Sequence, residues 1–330
     1  MLWVLLGIAV LIGLLMLASY AAYFICFYSP KEREFDPFDR SFRGQYEQYK
    51  DQIIASSRFM ADTPFEEVSI RSFDGYKLVG KYYHTDSGAP LMILFHGYRS
   101  MAYRDCSGGY ALAKKMGFNV LAIDQRGHGS SGGRTITFGV LERKDCLAWI
   151  NYATSRFSES APIVLWGLSM GAATVLMASG MELPSNVSAV IADCGYATPC
   201  DIIKKVCMDM HCPAKLVYPF VRLGAKIYGG FDLEETSALE SVANTNLPIL
   251  IIHGEDDRLV PYEMSRTIYN ACTSPARLFT VAGAGHGLSY MVDPVGYEQA
   301  VVSFLGDVAP LQEHIQNNAF CQNILDTIKS

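Results

Sequence analysis

Three short motifs contain side chains that could together carry out acyl-transfer chemistry. Ser169 lies between two glycines in the stretch GLSMG (167–171), and His286 lies between two glycines near the carboxyl end of the chain. Between these motifs, the stretch HGEDDRLVP holds two adjacent acids, Asp256 and Asp257. A serine hydroxyl becomes a nucleophile when a histidine accepts its proton and an acid orients and stabilises that histidine. The order serine, acid, histidine is the one expected when the serine follows a strand of an α/β sheet.

The neighbours of the serine indicate how it is presented to a substrate. Gly167 and Gly171 allow the strand and the following helix to approach closely, so that the serine projects from a sharp turn. The reaction also needs donors for a developing oxyanion, and backbone N–H groups require little reorganisation. The N–H groups of Met170, which begins the predicted helix, and of Tyr98, which follows a strand in LFHGYRS, are predicted to form this oxyanion hole.

The elements that position these motifs are short apolar runs alternating with helical segments. Strands are predicted at 68–72, 77–84, 91–96, 120–124, 163–167, 189–193, 249–253 and 278–281, and helices at 104–116, 141–157, 170–181, 262–271 and 294–305. From the third strand onward the runs are apolar throughout, which is typical of parallel strands covered on both faces. Asp74-Gly75 between the first two strands indicates a hairpin. The fold class predicted is a doubly wound, mostly parallel, eight-stranded α/β sheet.

The first residues predict a membrane anchor. Residues 2–27 contain no charged side chain, and as a helix this length is about 39 Å, enough to cross a bilayer with some tilt. The segment lacks the basic start of a signal peptide and has a longer apolar core than one. We therefore divide the chain into an anchor (1–29), a stalk or packing helix (30–66) with a helix near 41–60, an α/β domain (67–308) with a short lid at about 197–245, and one C-terminal amphipathic helix (309–330).

Charge and cysteine usage indicate the compartment and the partners. Lys31, Arg33, Arg40 and Arg43 follow the apolar segment, and such basic residues favour the cytoplasmic side. The nine cysteines are an odd number, which fits reduced thiols better than a complete set of disulfides. The prediction is a single-pass membrane protein with a cytoplasmic catalytic domain. A net charge of −6 without a basic run argues against nucleic-acid binding.

Over residues 68–305 the chain resembles the α/β-hydrolase superfamily. The motifs that carry the resemblance are HGYRS (96–100), DQRGHGSSGG (124–133), GLSMG (167–171), GEDDRLVP (254–261) and GHG (285–287). Within the superfamily it is similar to Bem46-like and bacterial membrane-anchored serine hydrolases with a short lid. The acid loop of the family, Gly-x-x-Asp-x-x-Val-Pro, implies Asp257 rather than Asp256 as the acid. The resemblance thus implies a triad of Ser169, Asp257 and His286.

The function predicted from these residues is hydrolysis of a small-molecule carboxylic ester or thioester through an acyl-enzyme intermediate. This reaction requires neither a cofactor nor a metal, and we predict none. A serine peptidase or an acyltransferase with the same triad, and a non-catalytic interaction scaffold, are the alternatives. His128 and His253 are interpreted as structural. Apolar lid residues such as Leu216 and Val221 would line an acyl pocket or simply pack, and nothing in the sequence specifies an oligomeric state.

Overall fold

The strands form one sheet whose parallel part carries the predicted site. The computed structural model describes residues 1–30, 42, 44–157 and 160–329. Its strands are β1 (Glu66–Arg71), β2 (Lys77–Tyr83), β3 (Leu91–Phe95), β4 (Asn119–Asp124), β5 (Ile163–Leu168), β6 (Val187–Asp193), β7 (Ile249–Gly254) and β8 (Ala276–Val281). They lie in the order β1-β2-β4-β3-β5-β6-β7-β8. β2 is antiparallel to both neighbours and the pairs from β3 to β8 are parallel, which confirms the predicted fold class.

Burial on both faces explains the continuous apolar runs. In β3, Met92 and Leu94 belong to one hydrophobic cluster, while Ile93 and Phe95 belong to the cluster on the opposite face. All residues of β3, β4, β6 and β7 are buried, so most positions on both faces favour apolar side chains. Because the strands are parallel, the loops after β3, β5, β6, β7 and β8 meet at the carboxyl edge of the sheet.

The helices lie between and around these strands. They are α1 (Leu2–Cys26), α2 (Lys50–Asp62), α3 (Ala102–Asp105), α4 (Ser107–Lys115), α5 (Glu142–Arg156), α6 (Met170–Ser179), α7 (Pro199–Asp209), α8 (Ala214–Gly224), α9 (Ala238–Val242), α10 (Tyr262–Ala271), α11 (Ser289–Val292), α12 (Pro294–Gly306), α13 (Gln312–Asn317) and α14 (Ala319–Lys329). A turn of 3-10 helix (Gly44–Tyr49) precedes α2, and a π-helical turn (Ala225–Gly229) continues α8.

Two helices predicted as single are each divided. The helix predicted over 104–116 is two helices, α3 and α4, which meet at Cys106. The Ser107 hydroxyl there donates to the Arg104 carbonyl, and such local bonds compete with regular helix. In the tail, Asn318 is extended and its side chain accepts from the N–H of Cys321. This contact caps a new helix, so the tail forms α13 and α14 rather than one helix.

The part of the stalk that the structure describes packs against the α/β domain. Instead of a helix near 41–60, the chain forms the 3-10 turn and then α2, whose Ile53 and Ile54 pack with Phe42 and Leu288. The basic residues on which the predicted orientation depends, at positions 31, 33, 40 and 43, lie outside the described residues.

α1 has two parts with different surroundings. It is the one helix of the described residues that is long and apolar enough to cross a membrane, and it is a candidate transmembrane segment. Its amino-terminal residues are exposed, whereas Tyr23 and Phe27 at the other end are buried in a cluster with Val221 of α8 and Phe231. The end of this helix is therefore packed into the α/β domain.

Candidate active site

The turn that carries Ser169 has the strained backbone expected of a nucleophile elbow. Ser169 follows β5 directly and has φ 57° and ψ −116°, a region that non-glycine residues rarely occupy. A side-chain carbon on Gly167 would overlap the carbonyl of Gly171, and one on Gly171 would overlap the carbonyl of Phe95. Only glycine fits at both positions. The serine hydroxyl is thus presented at the carboxyl edge between β5 and α6.

His286 lies between the serine and an acid. Its Nε2 is 2.9 Å from Ser169 Oγ, and its Nδ1 is 2.6 Å from Asp257 Oδ2. In the tautomer that satisfies both contacts, Nδ1–H donates to Asp257 and Nε2 accepts from the Ser169 hydroxyl. The neighbouring acid, Asp256, is exposed. The structure therefore brings together Ser169, His286 and Asp257, in a geometry that can pass a proton from serine to histidine.

Asp257 is held in its ionised form. Burial raises its pKa, but hydrogen bonds from His253 and His286 and the N–H of Val260 lower it more, so that the pKa lies well below its usual range. His253 itself is fixed by Ser265, 2.6 Å from Nδ1, and by the carbonyl of Val260, 2.9 Å from Nε2. A permanently charged acid can stabilise the imidazolium that forms during proton transfer.

Of the two residues whose N–H groups are predicted as an oxyanion hole, Met170 directly follows the serine and Tyr98 lines the cavity beside it. Neither the N–H of Tyr98 nor that of Met170 donates to another described residue. The loop of Tyr98 is shaped by two buried histidines, since His96 Nε2 accepts from the N–H of Gln125 and His128 Nε2 accepts from the N–H of Arg99. Burial lowers the pKa of His128 to about 3, so it remains neutral and able to accept.

This same loop holds the end of α1. The Tyr98 hydroxyl donates to the carbonyl of Cys26 at 2.7 Å, and the Arg99 guanidinium donates to the carbonyls of Ile25 and Tyr28 at 2.7 and 3.1 Å. The last carbonyls of a helix lack partners within it. Residues next to the candidate oxyanion hole thus supply the hydrogen bonds that end α1, a link that no sequence motif indicates.

A cavity of about 400 Å³ opens beside Ser169. Its walls include Trp166, Tyr290 and Tyr297, and the stalk contributes Tyr46 and Ile53. No residue of 197–245 lines it. Of the apolar lid residues considered for an acyl pocket, Val221 packs in the cluster of Tyr23 and Phe27 at the end of α1, and Leu216 is exposed. Tyr46 and Ile53 were not predicted as site residues because the stalk carries no recognisable motif.

One group of potential metal ligands coincides with these residues. Cys194 Sγ, a carboxylate oxygen of Asp257 and a ring nitrogen of His286 lie within 4.8 Å of one another. Both His286 nitrogens already make hydrogen bonds, so an ion could bind this set only by breaking the contact with Ser169 or with Asp257. The donor set fits the hydrogen-bonded arrangement better than a metal centre.

Two family models match the chain. A model described as alpha/beta hydrolase fold matches residues 90–211, and one described as TAP-like protein matches residues 232–309. Among curated relatives, YqkD of Bacillus subtilis is 27% identical over 240 residues, which cover 72% of this chain and 78% of that protein. Lysophosphatidylserine lipase ABHD12 of Macaca fascicularis is 25% identical over 226 residues, covering 62% of this chain and 52% of the lipase. The chain therefore spans about half the length of that relative.

Solved structures share the fold. An esterase of Pyrococcus furiosus superposes with a TM-score of 0.60 at 25% identity, covering 76% of this chain and 95% of the esterase. Est1E of Butyrivibrio proteoclasticus, solved with ferulic acid, superposes with a TM-score of 0.55 at 20% identity, over 80% of this chain and all of Est1E.

Proposed function

Because the chain belongs to the α/β-hydrolase superfamily, we propose that it is a serine hydrolase that cleaves carboxylic esters or thioesters. The observation that carries the proposal is the unbroken hydrogen-bonded path from Ser169 Oγ through His286 to Asp257. Relatives named as an esterase and as a lysophosphatidylserine lipase support an ester as the scissile bond.

The proposed reaction has two stages. Ser169 Oγ attacks the ester carbonyl while His286 Nε2 takes the hydroxyl proton, and the N–H groups of Tyr98 and Met170 donate to the resulting oxyanion. His286 then gives its proton to the leaving alcohol or thiol as the acyl-serine ester forms. In the second stage His286 deprotonates a water, which attacks the acyl group, and the released Ser169 recovers its proton. Asp257 stabilises the imidazolium in both stages.

The test is covalent labelling of the full chain in detergent by a fluorophosphonate probe. We expect labelling of the native protein and none in Ser169→Ala, with turnover of a nitrophenyl ester lowered by about 10⁶-fold. Ser155→Ala, which alters an exposed serine, serves as the matched control and should label normally. An unlabelled native protein would instead favour the scaffold.

Relative rates separate the alternatives that share the triad. A peptidase would cleave a peptide nitroanilide at a measurable rate, although the matched nitrophenyl ester is intrinsically more reactive, and an acyltransferase would pass the acyl group to an added alcohol in preference to water. An ester hydrolase does neither. We also propose that α1 anchors the protein in a membrane with the α/β domain on the cytoplasmic side, since its amino-terminal part is apolar and almost wholly exposed.

A further inference from the structure

One buried carboxyl oxygen of a residue that lines the cavity has no hydrogen-bond partner among the described residues. Asp193 ends β6, its side chain is buried, and Oδ1 accepts no hydrogen bond from a described residue. The Tyr297 hydroxyl accepts from Trp166 Nε1 at 3.2 Å and interacts with the Asp193 carboxyl. An unsatisfied buried oxygen is unfavourable and calls for a donor that the chain does not supply.

Asp193 lies next to the turn that carries the nucleophile. Asp193 and Ser169 both line the cavity, and the N–H of Ser169 donates to the carbonyl of Asp193 at 2.8 Å. Leu168 pairs with Asp193 across β5 and β6, and neighbouring strands are about 4.8 Å apart. A substrate group that reaches Asp193 is therefore only a few bonds from the carbonyl that Ser169 would attack.

The surroundings of Asp193 suit a cation. Burial raises the pKa of the carboxyl to about 6, although His253, Tyr297 and His286 lower it, so the carboxylate predominates at neutral pH. The aromatic rings of Trp166, Tyr290 and Tyr297 form neighbouring walls, and ring faces attract cations.

The other charged groups that line the cavity are already engaged. Asp105 accepts from the N–H of Gly97 and from the Ser100 hydroxyl. Arg99 binds the end of α1, and the Arg104 guanidinium lies 4.5 Å from the centre of the Phe42 ring. Among the described residues, Asp193 is thus the acid lining the cavity that has an oxygen without a hydrogen-bond partner.

We propose that Asp193 and the aromatic rings around it form a subsite for an ammonium group of the substrate, placed a few bonds from the scissile carbonyl. The subsite deepens the proposed hydrolase function and depends on it. It would select amine-bearing esters over neutral esters of the same shape, because a cation satisfies both the charge and the open oxygen of the buried carboxylate.

The test compares two nitrophenyl esters of equal length, the 3-aminopropanoate and the butanoate, in which an ammonium replaces a methyl group. We expect the ratio of their kcat/KM values to fall about 10- to 100-fold in Asp193→Asn, the range for a hydrogen bond to a charged group, mainly through KM for the amine ester. Comparing this ratio between the variant and the native protein cancels the difference in intrinsic reactivity of the two esters. Asp62→Asn, at an exposed aspartate, is the matched control and should leave the ratio unchanged.

Other outcomes overturn the subsite. An equal loss for both esters would mean that Asp193 is only structural or holds a water. Hydrolysis of the 3-hydroxypropanoate ester could depend on Asp193 as strongly as hydrolysis of the amine ester does. The subsite would then recognise a neutral hydrogen-bond donor rather than a cation. Fluorophosphonate labelling distinguishes failure of the subsite from failure of the hydrolase function. A protein that is labelled and hydrolyses the butanoate and the amine ester equally well refutes only the subsite. An unlabelled native protein refutes both.

A measurement on the native protein covers the case in which Asp193→Asn does not fold. Propylammonium should inhibit hydrolysis of the butanoate competitively, and at concentrations at least tenfold below those of butanol, its neutral counterpart of similar size. Equal inhibition by the two compounds would contradict an ammonium subsite.

Discussion

At the scale of single residues, Asp257 combines two tasks. Its Oδ1 accepts from the N–H groups of Leu259 and Val260 at 2.9 Å, which fixes the loop after β7. Its Oδ2 accepts from His286. Because hydrogen bonds from His253, His286 and the N–H of Val260 outweigh burial and lower the pKa in the folded protein below that of the unfolded chain, the stability they contribute is present above about pH 4 and is lost as the pH falls through the folded value.

Replacing this acid should reduce catalysis far more than binding. In Asp257→Asn the amide keeps the size of the side chain but does not hold His286 in the required tautomer, so we expect kcat to fall by about 10⁴-fold with KM little changed. Steady-state hydrolysis of a nitrophenyl ester measures both constants. Asp256→Asn is the matched control at the exposed neighbouring acid, and a comparable loss in that variant would reassign the acid.

Short motifs identify some of the site residues from the sequence, whereas Asp193 is placed only by the register of the sheet. Ser169 and His286 stand in short glycine-flanked motifs, so the sequence alone could single them out, and the family pattern chose between the two acids. Asp193 ends the apolar run VSAVIAD, where composition does not indicate which face the last side chain occupies. Its place beside Tyr297 follows from the register of β5, β6 and β7. A register set by pairing between distant segments is not readable from one segment.

At the scale of elements, a buried ion pair joins the loop after β4 to α5. The Arg126 guanidinium makes two hydrogen bonds to the Asp145 carboxylate, at 2.6 and 2.7 Å, and both side chains are almost fully buried. Burial lowers the pKa of Arg126, but the contacts with Asp145 raise it overall. Removing one partner leaves the other charge buried and unpaired.

Breaking this pair should destabilise the fold. We expect Arg126→Met to lower the free energy of unfolding by about 3–5 kcal/mol, as measured by urea denaturation in detergent. The double variant with Asp145→Leu should be more stable than Arg126→Met alone, because it no longer leaves the Asp145 carboxylate buried and unpaired. Asp74, which also bonds Arg126, is partly exposed and can be solvated. A double variant less stable than the single one would show that packing rather than charge dominates.

The end of α1 gives a second prediction at this scale. Deleting residues 2–28 removes the partners of Tyr98 and Arg99 and the buried Tyr23 and Phe27. We expect kcat on a soluble short-chain ester to fall by about 10²-fold, since small displacements of an oxyanion hole have effects of this size, together with a lower Tm. Deleting residues 2–14, which are exposed, should alter neither quantity. If the two shortened forms were equally active, the contacts at the end of α1 would not contribute to catalysis.

A point substitution tests the same contact without shortening the chain. A side chain at Gly224 of α8 would overlap the carbonyl of Ser19 in α1, so Gly224→Val should push the two helices apart and lower Tm. Gly88→Ala, at an exposed glycine with space around it, is the control. The sequence predicted α1 but placed the segment of α8 only within the lid, and the close approach of Gly224 to Ser19 is a long-range contact that neither segment specifies alone.

At the scale of the whole molecule, the carboxyl edge of the sheet and the end of α1 lie on the same side. The Tyr98 loop contacts both the candidate nucleophile and residues 25–28. If α1 spans a bilayer, the cavity beside Ser169 lies near the membrane surface. Two exposed apolar side chains, Met208 and Leu216, lie in the segment of α7 and α8. α8 packs against the end of α1, so this segment is also connected to the anchor.

The first consequence concerns membrane retention. The full chain should remain in the membrane fraction after an alkaline carbonate wash, whereas the form lacking residues 2–14 should be released, because the remaining apolar stretch is too short to span the hydrocarbon core. Immunoblotting of the fractions measures this. Retention of the shortened form would indicate another attachment, and a mature chain that begins near residue 30 would identify a cleaved signal sequence.

The second consequence concerns orientation. The basic residues after α1 favour a cytoplasmic α/β domain, and this placement also explains nine free cysteines, since thiols persist in a reducing compartment. A cysteine introduced by Lys329→Cys, at an exposed position of α14, should react with a membrane-impermeant maleimide only after the cells are opened, beyond the background of the unaltered chain. Labelling in intact cells would place the domain outside, where the anchor would present the candidate site to extracellular rather than cytoplasmic esters.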